Sequence, residues 1–220
     1  MAAAPCRPYI LGVTGGVATG KSTVMRLLKA RGVTVFSADE AARATLTPEV
    51  LEAIAGAFGS EVLLPDGNLD RKRLGEKVFA DPQARQTLNR ITHPPVLRLL
   101  RAQIDAATVD LPGDTLVAVE VPLLYEAGLS DWFDSVLVVS APEPVQIARL
   151  MARNGLTEAE ARQRIAAQWP LQDKEARADH VIRNDGAPEQ LAAAVDAFIA
   201  HIRASTRPGK LPVQSGGPVA

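Results

Sequence analysis

The sequence predicts an α/β fold built on a parallel sheet of five strands. Short apolar runs of strand length alternate with helical patterns along the chain, and a glycine-rich turn joins the first run to the first helix. Because helical patterns separate the strands, crossover connections and parallel pairing are favoured over a meander. The chain has 220 residues, which suits one sizeable core with insertions, so we predict a single domain over residues 1–204.

The first strand, Tyr9 to Thr14, leads directly into a complete GxxxxGKS motif. Glycine lets the backbone of such a loop approach a phosphate with its N–H groups pointing inward. Lys21 adds a mobile positive charge, and Ser22 opens a helix predicted for Thr23 to Arg31, where nucleotide-bound Mg²⁺ needs an oxygen ligand. The motif predicts a purine nucleoside triphosphate with Mg²⁺, in a three-layer fold of the P-loop nucleoside triphosphate hydrolase type. The residues expected at the triphosphate are Gly15, Gly16, Val17, Ala18, Thr19, Gly20, Lys21, Ser22 and Thr23.

Four further strands are predicted from apolar runs bounded by turn or helix signals. They are Val33 to Phe36, Thr115 to Val121, Ser135 to Ser140 and His180 to Ile182. In open parallel sheets, ligands gather at the carboxyl ends of the strands, so residues that follow different strands converge on one crevice.

Two carboxylates lie at such strand ends. Asp39 is expected near the γ-phosphate, where it takes a hydroxyl proton or orients the hydroxyl for attack. The alternative role for Asp39 is the N-cap of a helix over Glu40 to Ala44. Glu120 has the position from which a carboxylate holds Mg²⁺ through water, and the alternative is a surface carboxylate.

A helical insertion is predicted over about residues 41–112, because the segment between the second and third strands is too long for a plain crossover. We expect it to cover an acceptor substrate. Helix-start signals occur at Thr47-Pro48, Asp81-Pro82 and His93-Pro94-Pro95, and turn residues at 65–68. His93 either contacts the acceptor or satisfies backbone carbonyls.

A lid is predicted over about residues 149–175, within two helical segments that Asn154-Gly155 separates. Arg149 and Arg153 are four residues apart on one helix face, so both guanidinium groups can reach phosphate oxygens. A solvated charged face is the alternative. Residues 205–220, rich in Pro, Gly and Ser, are expected to form a disordered tail.

Composition argues against several classes of function. The 24 basic and 25 acidic residues leave a formal net charge of −1, so we expect no nucleic-acid or membrane partner. One cysteine, Cys6, excludes an internal disulfide and a cysteine-rich metal site. No apolar run has the length of a membrane span, so we expect a cytoplasmic protein. The oligomeric state is left open.

The chain to about Ile202 resembles the dephospho-coenzyme A kinase family. The resemblance goes beyond the loop, since further matches follow in the family's order. They are 36–39, Asp66-Gly67 with 69–71, His93-Pro94, 121–124 with Glu126, Arg149-Leu150 with Arg153, Gln168, Lys174, 178–182, Asn184 and Gly186.

This resemblance implies transfer of the ATP γ-phosphate to the 3′-hydroxyl of dephospho-CoA, with Asp39 as general base. It implies that Arg153 covers the phosphates and that Arg71 and His93 lie near the acceptor. The residues that it implies at the adenine end of ATP are Arg149, Asn184 and Gly186.

The sequence departs from the family at two places. The loop has Val17-Ala18-Thr19 where members often have Ile-Gly-Ser, and we expect the change to be tolerated because this turn has no obvious need for a third flexible residue. Many members lack an acid at the position of Glu120.

Two other functions fit the loop motif. A GTP-binding switch would need a guanine motif of the NKxD type, which the sequence lacks. Another small-molecule kinase, of the nucleoside monophosphate or shikimate type, would share the loop and a lid that carries arginines.

Overall fold

The computed structural model describes residues 7–79 and 81–205, and its contacts divide them into two compact units. The first unit consists of residues 7–35 and 107–205, and the second spans Phe36–Ala106. Apart from Ser205, the predicted tail therefore lies outside the described residues.

The strands are β1 (Tyr9–Gly15), β2 (Thr34–Ser37), β3 (Leu116–Glu120), β4 (Ser135–Ser140) and β5 (His180–Arg183). The helices are α1 (Lys21–Ala30), α2 (Ala38–Ala44), α3 (Pro48–Phe58), α4 (Arg71–Phe79), α5 (Pro82–Asp110), α6 (Glu143–Asn154), α7 (Glu158–Ala166), α8 (Leu171–Arg177) and α9 (Pro188–Ser205).

The strands form one sheet in the order β2-β3-β1-β4-β5. Strand β1 pairs in parallel with β3 and β4, and β4 pairs in parallel with β5. These pairings confirm the predicted α/β fold with a five-stranded parallel sheet. The ends of β4 agree with the prediction to the residue, and the other strands begin and end within one residue of it.

The core of the first unit is apolar and includes residues of the inner strands β1 and β4. Leu11 and Val13 of β1 and Leu137 of β4 have no exposed surface, and they pack with residues of α1 and α9 such as Leu28 and Val195. Strands that are buried on both faces are expected to be continuous apolar runs, which is why the pattern identified β4 so closely. The sheet thus holds the end of β1, where the glycine-rich loop begins, in a rigid position.

The second unit is helical, and it confirms two of the three predicted helix starts. Helices α3 and α5 begin at Pro48 and Pro82, as predicted. The predicted start at His93-Pro94-Pro95 is wrong, because α5 continues through both prolines.

Packing explains why α5 is not interrupted. A proline inside a helix removes a hydrogen bond and costs about 3 kcal/mol. Leu88 and Ile91, before the prolines, pack against an apolar cluster of Ile54, Val62 and Leu74, and after the prolines Leu100 and Ile104 are buried. Burial of apolar side chains on both sides offsets the local cost of the prolines.

The predicted turn at residues 65–68 is confirmed. The carboxylate of Asp66 accepts a hydrogen bond from the backbone N–H of Asn68 at 3.0 Å. Leu63 and Leu69, on either side of the turn, form an antiparallel bridge. In the parts of the chain that the structure describes, no helix is both long and apolar enough to cross a membrane.

Candidate functional site

The glycine-rich loop connects the end of β1 to the start of α1. Gly15 (φ 150°) and Gly20 (φ 97°) have positive φ angles that other residues rarely adopt. A Cβ atom at Gly15 would overlap the carbonyl oxygen of Val139, and one at Gly20 would overlap the amide of Asn184. These two positions therefore require glycine both for their conformation and for space.

A third residue of the loop also has a left-handed conformation. Ala18 has φ 57°, and it is the one non-glycine residue with positive φ in the described chain. The reason given for expecting alanine to be tolerated here, that the turn has no need for a third flexible residue, is therefore wrong. Its Cβ brings an unfavourable contact of about 1–2 kcal/mol, a cost that glycine would not have.

Two side chains of the loop bond to its own carbonyl groups. The hydroxyl of Thr19 donates to the carbonyl oxygen of Gly16 at 3.0 Å. The ammonium group of Lys21 donates to the same oxygen at 2.7 Å and to that of Gly15 at 3.3 Å. The lysine thus lies folded over the loop, beside the backbone expected to surround a phosphate.

Helix α1 begins at Lys21, two residues before the predicted start. Ser22 is consequently the second residue of the helix, and its side chain is exposed. The first turn of a helix has unpaired N–H groups and the positive end of the helix dipole, which favour an anion. Ser22 therefore offers its hydroxyl next to a natural site for phosphate.

Arg149 and Asn184 attach the loop to two other elements of the first unit. The Arg149 guanidinium, on α6, donates to the carbonyl oxygens of Ala18 and Thr19 at 3.3 and 3.2 Å, and to that of Asn184 at 3.0 Å. The side-chain amide of Asn184, which follows β5, donates to Thr19 at 2.7 Å. The structure thus brings together two of the three residues implied at the adenine end of ATP. Gly186 lies two residues farther along the same loop.

The hydrogen bond that the structure gives Arg153 goes to its neighbour on α6 and not to the loop. Arg153 is exposed in the last turn of α6, where its Nε donates to Asn154 at 3.0 Å. The two helices predicted for this region are present, since α6 ends at Asn154 and a capping box of Thr157 and Glu160 starts α7. The lid itself remains a prediction.

Glu120 is the last residue of β3, at the carboxyl end of the sheet. It is paired in register with Val13 of β1, two residues before the loop, and it is partly buried. This register brings its backbone to the strand end from which the loop starts. The location fits the predicted magnesium role, which remains a prediction.

Three predicted site residues belong to the second unit. Asp39 is the second residue of α2, whose N-cap is Ser37, so the alternative role of Asp39 as the N-cap is wrong. Arg71 is the first residue of α4, and His93 lies within α5. All three side chains are exposed.

The structure also gives contacts to three residues that the sequence marked only by resemblance. The side-chain oxygen of Gln168 accepts from the N–H of Val17 in the loop at 2.9 Å. Lys174 has no exposed surface, and its ammonium lies 2.6 Å from a carboxylate oxygen of Glu126. These residues are far apart in sequence, so no local pattern could have revealed their contacts.

Comparison with known proteins indicates the family of this chain. Residues 9–190 match the family model for dephospho-CoA kinase. A dephospho-CoA kinase from Anaeromyxobacter dehalogenans is 52% identical over 196 residues, which cover 88% of this chain and 92% of the relative.

Two solved structures are similar over most of their length. TT1252 from Thermus thermophilus has 36% identity and a TM-score of 0.74, with coverage of 89% of this chain and 98% of that one. A dephospho-CoA kinase from Campylobacter jejuni has 28% identity and a TM-score of 0.68, with the same two coverages. The chain therefore belongs to the dephospho-CoA kinase family.

Proposed function

We propose that this protein transfers the γ-phosphate of ATP to the 3′-hydroxyl of dephospho-CoA, giving CoA and ADP, the last step of coenzyme A synthesis. The observation that carries the proposal is the family match, which spans residues 9–190 and includes the complete phosphate loop. As a member of this kinase family, the protein uses ATP as the phosphate donor.

The loop is suited to bind the phosphates of ATP. Its backbone N–H groups and the start of α1 attract anions, and the ammonium of Lys21 lies beside two carbonyl oxygens of the loop, close to where a phosphate would bind. The guanidinium of Arg149 and the amide of Asn184 hold the far side of the loop. Preorganised donors of this kind favour the charge that develops during transfer.

Ser22 and Glu120 would hold Mg²⁺, with Glu120 acting through water. Oxygen donors suit this ion, which usually retains several waters and takes few ligands from protein. Both residues belong to the first unit, at the start of α1 and at the end of β3. When bound, the ion neutralises charge on the phosphate oxygens.

Asp39 would act as the general base that accepts the proton of the 3′-hydroxyl. We propose that Arg71 and His93 contact the acceptor, and that the helical segment around them covers it. We also propose that residues 149–175 form a lid in which Arg153 reaches the phosphates after closure, because water must be excluded before transfer. A cytoplasmic location remains our expectation, since one cysteine suits a reducing compartment.

A coupled assay of ADP release with Mg²⁺ and ATP tests the function. Dephospho-CoA, AMP, adenosine and shikimate are offered in turn at equal concentration. We expect release well above background with dephospho-CoA and little with the others. Preference for AMP or shikimate would replace the proposal by one of the other small-molecule kinases.

A further inference from the structure

We propose that Gln168 is a positioning residue that fixes the orientation of the Gly16–Val17 peptide group and thereby the resting place of Lys21. The proposal rests on the proposed function only for its kinetic consequence. Its structural basis is a set of contacts within the first unit that join the segment after α7 to the phosphate loop.

Both ends of the Gly16–Val17 peptide group are bonded. The N–H of Val17 donates to Oε1 of Gln168 at 2.9 Å. The carbonyl oxygen of Gly16 accepts from Thr19 and Lys21 at 3.0 and 2.7 Å. Because a peptide group is planar and rigid, fixing its N–H also fixes the direction of its carbonyl oxygen. Gln168 therefore determines where the carbonyl that receives Lys21 points.

The segment that carries Gln168 is itself firmly held. The backbone N–H of Trp169, the next residue, donates to Oε1 of Glu126 at 3.3 Å. The same carboxylate oxygen lies 2.6 Å from the ammonium of Lys174, on α8. Lys174 has no exposed surface, and little of the Glu126 side chain is exposed, so solvent screens this pair weakly.

A further contact leads from this ion pair back to β1. The carbonyl oxygen of Pro122 accepts hydrogen bonds from Lys174 at 3.4 Å and from the hydroxyl of Thr14 at 3.1 Å. Thr14 precedes the first glycine of the loop by one residue. The segment at 168–174 thus contacts the loop directly through Gln168, and the base of the loop through Lys174 and Pro122.

This arrangement gives Gln168 a role that a surface glutamine lacks. Without its oxygen, the Val17 N–H loses this acceptor, and the peptide group is held from its carbonyl side, which restrains its orientation less. The loop would then occupy the nucleotide-binding conformation for a smaller fraction of the time, which weakens apparent affinity in proportion to that fraction. Loss of the Gln168 contact should therefore weaken the binding of ATP and leave the binding of the acceptor unchanged.

Amide hydrogen exchange of Val17, measured by NMR on the nucleotide-free protein, tests the contact without requiring activity. Gln168→Met keeps the length of the side chain and removes the acceptor, whereas Gln168→Glu keeps an oxygen there. The matched control is Gln163→Met, at an exposed glutamine on α7. Loss of one hydrogen bond should increase the exchange rate of the Val17 amide on the order of tenfold.

We expect faster Val17 exchange in Gln168→Met, and rates near wild type in Gln168→Glu and Gln163→Met. We also expect Gln168→Met to raise KM for ATP by about three- to tenfold, with KM for dephospho-CoA and kcat nearly unchanged. Unchanged exchange in Gln168→Met, or faster exchange in Gln168→Glu, would overturn the proposal. Because exchange is read without substrate, these outcomes remain decisive even if the protein phosphorylates a different acceptor.

Discussion

The phosphate loop and the helical unit Phe36–Ala106 are stabilised in opposite ways. Contacts from distant parts of the sequence hold the loop: Gln168 lies 151 residues from Val17, and Asn184 lies 165 residues from Thr19. The helical unit is held by contacts among its own residues, such as the apolar cluster around Ile54 and the Asp66 turn.

This difference shows that a short motif need not be stabilised locally. We expect the loop to take its conformation only when distant segments are in place, because its bonding partners come from α6, the segment after α7 and the segment after β5. In the helical unit, by contrast, the apolar cluster and the Asp66 turn are built from residues of its own segment. We therefore expect substitutions that destabilise the helical unit to leave the loop unchanged, and four predictions test the contrast.

Asp39 can break the contrast, because it belongs to the helical unit and yet has a proposed chemical role. Asp39→Asn should lower turnover by about 10² to 10⁴, the usual contribution of general base catalysis, with ATP affinity near wild type. The control is Asp81→Asn, since Asp81 accepts from the N–H of Gln83 at the start of α5 and asparagine caps as well as aspartate. Near-normal turnover in Asp39→Asn would contradict the role of Asp39 as the general base.

Lys21 tests the loop itself. Lys21→Ala should lower turnover by about 10² or more, because it removes a preorganised positive charge from the transition state. The matched control is Lys29→Ala, in the last turn of the same helix and exposed. Steady-state assays at saturating ATP compare the two variants. Activity within a few-fold of wild type in Lys21→Ala would mean that Lys21 does not contact the phosphates.

Glu126 sharpens the contrast, because it holds the distant segment that contacts the loop through Gln168. Glu126→Gln removes the negative charge beside the buried Lys174, so we expect a loss of about 3–5 kcal/mol in the free energy of unfolding. Urea denaturation followed by circular dichroism measures it. The control is Glu61→Gln, which breaks an exposed pair with Lys77 in the helical unit and should leave stability close to wild type. Equal losses in the two variants would contradict the distinction.

Ala18 gives the smallest expected effect. Ala18→Gly relieves the left-handed conformation but increases the freedom of the unfolded chain and removes a methyl group packed near Ile147 and Leu150. We expect a net gain of at most about 1 kcal/mol, seen as a melting temperature a few degrees higher. A lower melting temperature would show that the methyl contact outweighs the backbone strain.

The sequence was sufficient where one local rule determines the structure. Strand β4 is a continuous apolar run because it is buried on both faces, and its ends were predicted to the residue. The loop was predicted because phosphate binding requires glycines and Lys21 at fixed spacing. The family resemblance, and no pattern in the residues, implied that Arg149 and Asn184 lie at the same end of ATP, and the structure adds their hydrogen bond.

Sequence reasoning failed where tertiary packing determines the local structure. Pro94 and Pro95 indicate a helix boundary, but the packing of apolar residues on either side keeps α5 continuous. Helix α2 begins at Ala38, with Ser37 as its N-cap, so Asp39 lies inside the helix rather than at the N-cap. Alanine itself carries no signal for the left-handed conformation of Ala18, and only the glycine that family members often have at this position pointed to it.

The burial of Lys174 has a practical consequence for chemical labelling. An amine with no exposed surface cannot react with an acylating reagent while the chain around it is closed, whereas exposed lysines such as Lys29 react freely. Modification of Lys174 therefore requires local opening. The rate of acylation of Lys174 relative to that of Lys29 measures how often the segment at 168–174 opens. Mass spectrometry of acylated peptides would give this frequency directly in the intact enzyme.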